Sequence, residues 1–307
     1  MDNPVIDVII PVCKPDEKYA GLLHMLEIQT VRIRQICVIN TGRKYYDESR
    51  FEYDGVIKIR HIEPDEFDHG RTRHEGIIGS DADYCLLMTQ DAVPADDRLV
   101  ENLLECFKTP EIAVAYARQL PDDKCRIIER LARQFNYPEK SSIKRKEDID
   151  RLGIKAFFCS DVCAMYDRTK YIEQGGFIRR TIFNEDMIMA YRFLMAGYGV
   201  YYKADAKVIH SHNYTNMQQF HRNFDLGVSQ TDNPDVFNSV SSESEGLKYI
   251  KKMTSLLVHE GAAYYIPYFY INSFFRLAGY KLGRAYKKLP RKLVLACTMN
   301  QNYWRHR

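Results

Sequence analysis

Apolar residues along this chain fall into two alternating rhythms. Residues 5–12, 35–40, 56–62, 84–88 and 112–117 are short apolar runs of strand length, the first holding Pro11 near its end and the second stopped by Thr41-Gly42. Between them, apolar positions recur at helical spacing. Tyr19, Leu22, Leu23 and Leu26 stand at i, i+3, i+4 and i+7; Leu99, Val100, Leu103, Leu104 and Phe107 mark another helix, and a further one is expected over 70–79. Strands alternating with helices signal βαβ units, so the first half predicts an α/β fold whose mostly parallel sheet is flanked by helices.

Residues 119–155 break the rhythm with a charged, helix-prone stretch, expected as a helical insertion over one edge of the sheet. The pattern resumes at 156–166 and turns at Gly175-Gly176. It then enters a helix near Asn184 with the apolar stripe Met187, Ala190, Tyr191 and Leu194, followed by strand-like 200–203 and 207–209. No internal repeat is visible. The expected division is a main domain at 1–245 and a helical extension at 246–307.

Composition narrows the class. A chain that is 45% hydrophobic and 28% charged is neither disordered nor collagen-like. No uncharged apolar run reaches 18 residues, so no spanning helix is expected. MDNPVIDVIIPV lacks the basic n-region of a secretory signal, which points to the cytosol. Eight cysteines without a CxxC pair, several inside apolar runs, read as small buried hydrophobes rather than a zinc site.

In open α/β sheets ligands sit beyond the carboxyl ends of the strands. Three such ends carry polar residues: Pro11-Val12-Cys13-Lys14, Asn40-Thr41-Gly42 and Thr89-Gln90-Asp91-Ala92-Val93-Pro94. Asp91 gains nothing from core packing and suits a hard cation, Mg²⁺ or Mn²⁺; the plainer reading is a turn-capping acid before Pro94. Glu185 and Asp186 open a helix, where acids also complement the dipole; one carboxylate is placed to act as a general base. His210 and His212, around Ser211, are candidates for a metal site as neutral imidazoles. Phe67-Asp68-His69-Gly70-Arg71-Thr72-Arg73, just before a helix, has the glycine and arginines of a phosphate loop.

These residues resemble glycosyltransferase family 2, the inverting enzymes of GT-A (Rossmann-like) fold, and within it bacterial rhamnosyltransferases. The motifs are VIIPV, FDHGRTRHEG at 67–76, LLMTQDAVP at 86–94, FFCSDVCAMYDRTKY at 157–171, GGF and NEDM within 175–187, GYGV at 197–200 and VIHSHNYT at 208–215, in the family's order over about 210 residues. The resemblance implies the following roles. Asp91, the one acid left of a DxD motif that reads Thr89-Gln90-Asp91, holds Mg²⁺ or Mn²⁺ with His210 or His212. Asp186 is the general base, with Glu185 and Asp161 on the acceptor side. Pro11, Val12, Asn40, Arg73 and Gln90 meet the donor. The implied donor is a nucleotide sugar, dTDP-β-L-rhamnose before UDP-hexose or UDP-galactofuranose, and the implied acceptor is a polyprenyl-linked glycan. A non-catalytic glycan-binding relative is the alternative.

Charge then separates the tail from the body. Lys and Arg number 44 against 41 Asp and Glu, yet no acid follows Glu260, while nine bases do: Arg276, Lys281, Arg284, Lys287, Lys288, Arg291, Lys292, Arg305 and Arg307. Aromatic rings interleave with them, from Tyr264 to Trp304. Two readings stand: a segment lying on the anionic inner face of a membrane, or a helical subdomain that packs its rings inside. Nucleic acid is not expected, since no helix-turn-helix, zinc or RNP-type pattern accompanies the bases.

Overall fold

A computed structural model describes residues 4–238 and 243–305, in two compact units. The first comprises 4–120, 137–180 and 185–210; the second comprises 121–136, 181–184 and the described residues from 211 to 305. The expected boundary at 245 and these units fall at different places, because 121–136 and 211–238 pack with the tail.

The first unit is built on one sheet. Its strands are β1 (Ile6–Val12), β2 (Gln35–Thr41), β3 (Ile57–Ile62), β4 (Tyr84–Met88), β5 (Val93–Pro94), β6 (Ile112–Leu120), β7 (Ser142–Lys144), β8 (Cys163–Asp167) and β9 (Gly199–Ile209), in the order β3-β2-β1-β4-β8-β6-β9-β5 with β7 also on β9. The long ladders, β1 with β2 and β4, β2 with β3, and β6 with β9, are parallel, as the sequence rhythm predicts; β8, β5 and β7 run antiparallel. β1 is buried almost throughout because both its neighbours are strands and helices cover the faces. Its one acid, Asp7, is fully buried and satisfied by Arg34 (Nε 2.8 Å, Nη2 2.6 Å), Gln35 (2.7 Å) and Ser80 (2.6 Å).

Three features of the fold shape the site. The helix after β3 spans His69–Ile78, its N-terminus capped by Asp68, whose Oδ1 accepts from the amides of Gly70 and Arg71. Gly76 lets this helix lie on β1, since a Cβ there would stand 2.6 Å from Ile9. The stretch 119–155 holds the helix Ile127–Asn136 but also β7, an edge strand of the sheet. The strand-like segments at 200–203 and 207–209 are one strand, β9, whose register against β6 jumps from Ala117↔Lys203 to Arg118↔Lys207. Such a bulge re-aims the strand end.

The second unit is helical. Helix Asn216–Asp232 starts on a capping box made by Thr215 and Gln218 and packs along helix Ile266–Arg284. Gly279 and Gly283 allow that contact: a Cβ on either would come within 2.1 Å of the Phe220 or Phe224 carbonyl. Phe224, Val228, Tyr286, Val294, Cys297 and Trp304 share one core; Leu131, Met253, Leu257 and Phe269 share another. Phe269, Tyr286 and Trp304 of the aromatic tail are therefore interior, while Tyr264, Tyr270 and Phe274 stay exposed. Asp225, buried mid-helix, accepts from the Thr298 hydroxyl (2.6 Å) and the Met299 amide (3.0 Å), which ties down the chain near its end. No helix among the described residues is long and apolar enough to cross a membrane.

Candidate functional site

All but one of the candidate residues lie in the first unit, grouped into two clusters. The first forms where β4, β5, β6 and β9 end. β5 is two residues long, and its pairing of Val93 with Ile209 brings the turn after β4 beside the residue after β9. Asp91 Oδ2 and His210 Nε2 stand 3.5 Å apart. The His210 ring is oriented from behind: Nδ1 donates to Gln119 Oε1 (2.9 Å), while Gln119 Nε2 donates to Ser160 (2.9 Å) and to Tyr137 (2.5 Å). With its two amide hydrogens committed, Gln119 presents oxygen to the imidazole. The proton therefore sits on Nδ1 and the Nε2 lone pair is directed toward Asp91, the arrangement typical of a metal-ligating histidine.

The donor set suits a divalent cation: one carboxylate oxygen and one neutral imidazole nitrogen, the remaining positions being left to water and ligand phosphates. His212, the alternative to His210, belongs to the second unit.

Around the neighbouring strand ends, Gln90 joins two loops. Its Oε1 accepts from the Cys13 amide (2.6 Å) and its Nε2 donates to the Cys13 carbonyl (3.1 Å), which clasps the loop after β1 to the loop after β4. A carboxylate there would repel the Cys13 carbonyl, so the clasp calls for an amide at the middle position of Thr89-Gln90-Asp91. Asn40 is fully buried, donating to the Gly42 carbonyl (3.2 Å) and contacting His61 Nδ1 (3.0 Å). Val12 is packed in the core, so only its backbone is available, and Pro11 is partly exposed. Three buried oxygens here, Asn40 Oδ1, Thr41 Oγ1 and Thr89 Oγ1, have no hydrogen-bond partner. Leaving such groups unpaired costs about 1–3 kcal/mol each, and a polar ligand would relieve it.

The second cluster is acidic. Asp186 begins helix Glu185–Met195, where its Oδ1 accepts from the Met187 amide (2.7 Å) and its Oδ2 from the Asp161 amide (3.3 Å). Asp161 lies deeper and accepts from the Tyr166 hydroxyl (2.6 Å). Arg73, expected against donor phosphates, is instead buried among these acids: Nη1 is 3.2 Å from Glu185, Nε is 3.8 Å from Asp161, and Nη1 donates to the His69 carbonyl (3.1 Å). One guanidinium among three carboxylates leaves an excess of negative charge. Burial first, then the Glu185 charge, push Asp186 up to about 7. Burial, then the Asp186 charge, hold Asp161 well above the carboxylate range.

The turn behind this helix is fixed by Gly176, whose φ of +67° and lack of space, with the His74 ring 2.5 Å from any Cβ, admit only glycine. The Tyr171 hydroxyl accepts there from the Phe177 amide (2.9 Å) and contacts His74 Nδ1 (3.0 Å). Asn184 takes a φ of +66°, a conformation asparagine tolerates better than most residues. Within the helix, the buried stripe is Ile188, Met189, Ala190, Phe193 and Leu194 rather than the expected Met187 and Tyr191.

Sequence reading missed Gln119, Ser160 and Tyr137. The rule that singled out Asp91 would have found Gln119, a polar residue in the last positions of an apolar strand.

Comparisons with known proteins give the family. Residues 7–175 match the family model described as glycosyl transferase family 2. The chain is 36% identical over 301 residues, 97% of this chain and 96% of the relative, to the O-antigen chain rhamnosyltransferase RfbN of Salmonella typhimurium. It is 35% identical over 307 residues, covering 98% of this chain and 96% of the relative, to the O-antigen chain rhamnosyltransferase WbaN of Salmonella anatum. Among solved structures it resembles the mannosyltransferase PcManGT from Pyrobaculum calidifontis in complex with GDP-Man and Mn²⁺, with a TM-score of 0.57, 14% identity, and coverage of 100% of this chain and 89% of that one. It also resembles S. aureus TarS 1-349 in complex with UDP-GlcNAc, with a TM-score of 0.54, 10% identity, and coverage of 92% of each chain. At such identities the structural likenesses show the shared fold.

Proposed function

The chain belongs to glycosyl transferase family 2, and from that premise we propose that it moves L-rhamnose from dTDP-β-L-rhamnose to a lipid-linked glycan during O-antigen-type polysaccharide synthesis. The observation that carries this reading is likeness over nearly the whole length to two rhamnosyltransferases. Asp91 and His210 would hold a divalent ion, Mg²⁺ or Mn²⁺, which when bound supplies positive charge for the leaving diphosphate. The Gln90 clasp sets the spacing of the loops that meet the donor, and the unpaired oxygens of Asn40, Thr41 and Thr89 supply polar contacts.

Asp186 takes the proton of the attacking acceptor hydroxyl at one of its carboxylate oxygens. Its raised pKa makes it a stronger base than an ordinary carboxylate. Glu185 supplies the nearby negative charge responsible for part of that shift, while Arg73 keeps Glu185 and Asp161 compatible in one pocket. A single displacement inverts the anomeric centre, so the β-linked donor yields an α-rhamnoside.

The exposed row Tyr270, Phe274, Leu277 and Lys281 along helix Ile266–Arg284, with Lys287 and Lys288 beyond it, supports peripheral attachment to an anionic cytoplasmic membrane face. Ring and aliphatic positions at i, i+4 and i+7 form one face of a helix, the geometry of an interfacial segment.

Thermal shift and turnover with a panel of nucleotide sugars, plus Mg²⁺ or Mn²⁺, test the donor. We expect dTDP-rhamnose to raise Tm and to be consumed in the presence of a lipid-linked acceptor. Stabilisation and turnover with UDP-hexoses alone would replace the donor assignment, and no turnover with any donor would leave a glycan-binding relative.

A further inference from the structure

The second unit contains a cleft of about 600 Å³ that no step above uses. It lies between helix Ile127–Asn136, the segment 212–219 and the start of helix Ile266–Arg284. Two amides line it from below. Gln219 is only 8% exposed, and among the described residues its side-chain amide makes no hydrogen bond within the protein. Asn272, 5% exposed, uses one Nδ2 hydrogen on Asn216 (2.9 Å). Three tyrosines line it as well: Tyr264 and Tyr265, with ring centroids 4.6 Å apart, and Tyr268. All three rings are substantially exposed.

The chemistry of this lining selects among occupants. A hydrocarbon chain would suit the rings but cut the Gln219 amide, which offers both donor and acceptor capacity, off from the water of the cleft. A phosphate could reach Arg126 at the mouth, but it offers acceptors only and would leave the Gln219 oxygen unmatched; Arg276 is already engaged, donating to the Tyr249 hydroxyl (3.1 Å) and stacked on its ring, and Glu129 on the same wall is paired with Arg133 (3.1 Å). Sugar hydroxyls both donate and accept, so they match amides. The C–H faces of a pyranose ring match exposed tyrosines, which present a rigid amphipathic surface with few rotors to freeze.

We propose that this cleft is a saccharide-binding site, holding sugar rings of the acceptor glycan. The identification of those rings with an acceptor rests on the transferase reading; the cleft's preference for sugars rests on its own side chains.

Saturation-transfer NMR on the whole chain tests it, with methyl glycosides of rhamnose, galactose, mannose and glucose as probes and farnesyl phosphate as the lipid probe. At least one glycoside at about 10 mM, a concentration suited to millimolar affinity, should receive saturation. Gln219→Leu and Tyr268→Ala should each weaken that signal about tenfold, the size expected for an unmatched polar group or a lost ring. Binding of dTDP should be unchanged in both variants, which also reports that they are folded. Since Tyr268 is exposed, its variant decides the matter if Gln219→Leu loses its fold. Transfer to farnesyl phosphate alone, transfer to no glycoside, or glycoside transfer indifferent to Tyr268→Ala would overturn the proposal. If a glycoside binds through the cleft but no nucleotide sugar is turned over, the transferase reading fails while the saccharide site stands.

Discussion

Asp186 is the residue on which chemistry and stability pull against each other. In the folded chain it keeps its proton up to about pH 7, whereas in the unfolded chain an aspartate releases it near ~3.9. The native state therefore binds more protons than the unfolded state between those values, and unfolding free energy must fall as pH rises through that window. Activity should do the reverse, rising as Asp186 ionises toward and above pH 7. Measuring kcat/KM and urea stability on the same preparation from pH 5 to 8.5 checks both signs at once. Asp186→Asn should lower kcat by about 10²- to 10⁴-fold, leave donor affinity near its original value, and flatten part of the stability slope. If donor affinity falls with it, Asp186 is a binding residue and the base lies elsewhere. Gln90 makes a contrasting prediction. Gln90→Glu places a carboxylate against the Cys13 carbonyl, so donor affinity should drop about tenfold or more while the acid limb of the pH profile stays in place; isothermal titration with dTDP reads the first and kinetics the second.

Among the elements, the helix pair Asn216–Asp232 and Ile266–Arg284 is held at backbone contact by Gly279 and Gly283. A side chain at either position must push the helices apart. Gly283→Val should therefore destabilise the second unit by roughly 1–3 kcal/mol or more, as overpacking of a close contact does, seen as a lowered or split thermal transition. An unchanged Tm would show that the pair does not hold that unit together. Elements also explain why the acid-rich helix start could be read from sequence while its role could not. A Glu-Asp pair at a helix N-terminus is ordinary, and only Arg73 and Asp161, brought in from 112 and 25 residues away along the chain, turn it into a buried acidic cluster.

Across the whole molecule, the charge asymmetry seen in the sequence divides by burial. Tail aromatics such as Phe269, Tyr286 and Trp304 are interior, so a chain ending at Glu260 should lose the fold of its second unit rather than only its membrane affinity; circular dichroism and limited proteolysis of that truncation check this. The exposed bases are a separate matter. Replacing Lys281, Lys287 and Lys288 by Gln should keep the fold and reduce binding to vesicles containing anionic lipid, by roughly 10²-fold at about 1 kcal/mol per charge, and make what remains less sensitive to salt. Equal sedimentation of the triple variant and the parent chain would remove the membrane from the proposal. Arg307, counted with these bases, lies outside the described residues.

What the sequence determined by itself is what depends on local order. Its apolar rhythm placed β1 to β4 and their helices within a few residues, because strand and helix periods are written in adjacent positions. Its motifs singled out Asp91, Asp186 and the pair His210 and His212 as candidates, because polar residues at apolar strand ends and helix starts have little reason to be there for packing. Tertiary structure decided what depends on distant partners. It put Gln119 behind His210 and so set the tautomer, made Gln90 a clasp between two loops, and buried Arg73 among carboxylates. It also joined β7 to a sheet edge from within a charged stretch and packed Phe269, Tyr286 and Trp304 of the basic tail as core. Each of these follows from pairing energies between residues far apart in the chain, which no window of sequence contains.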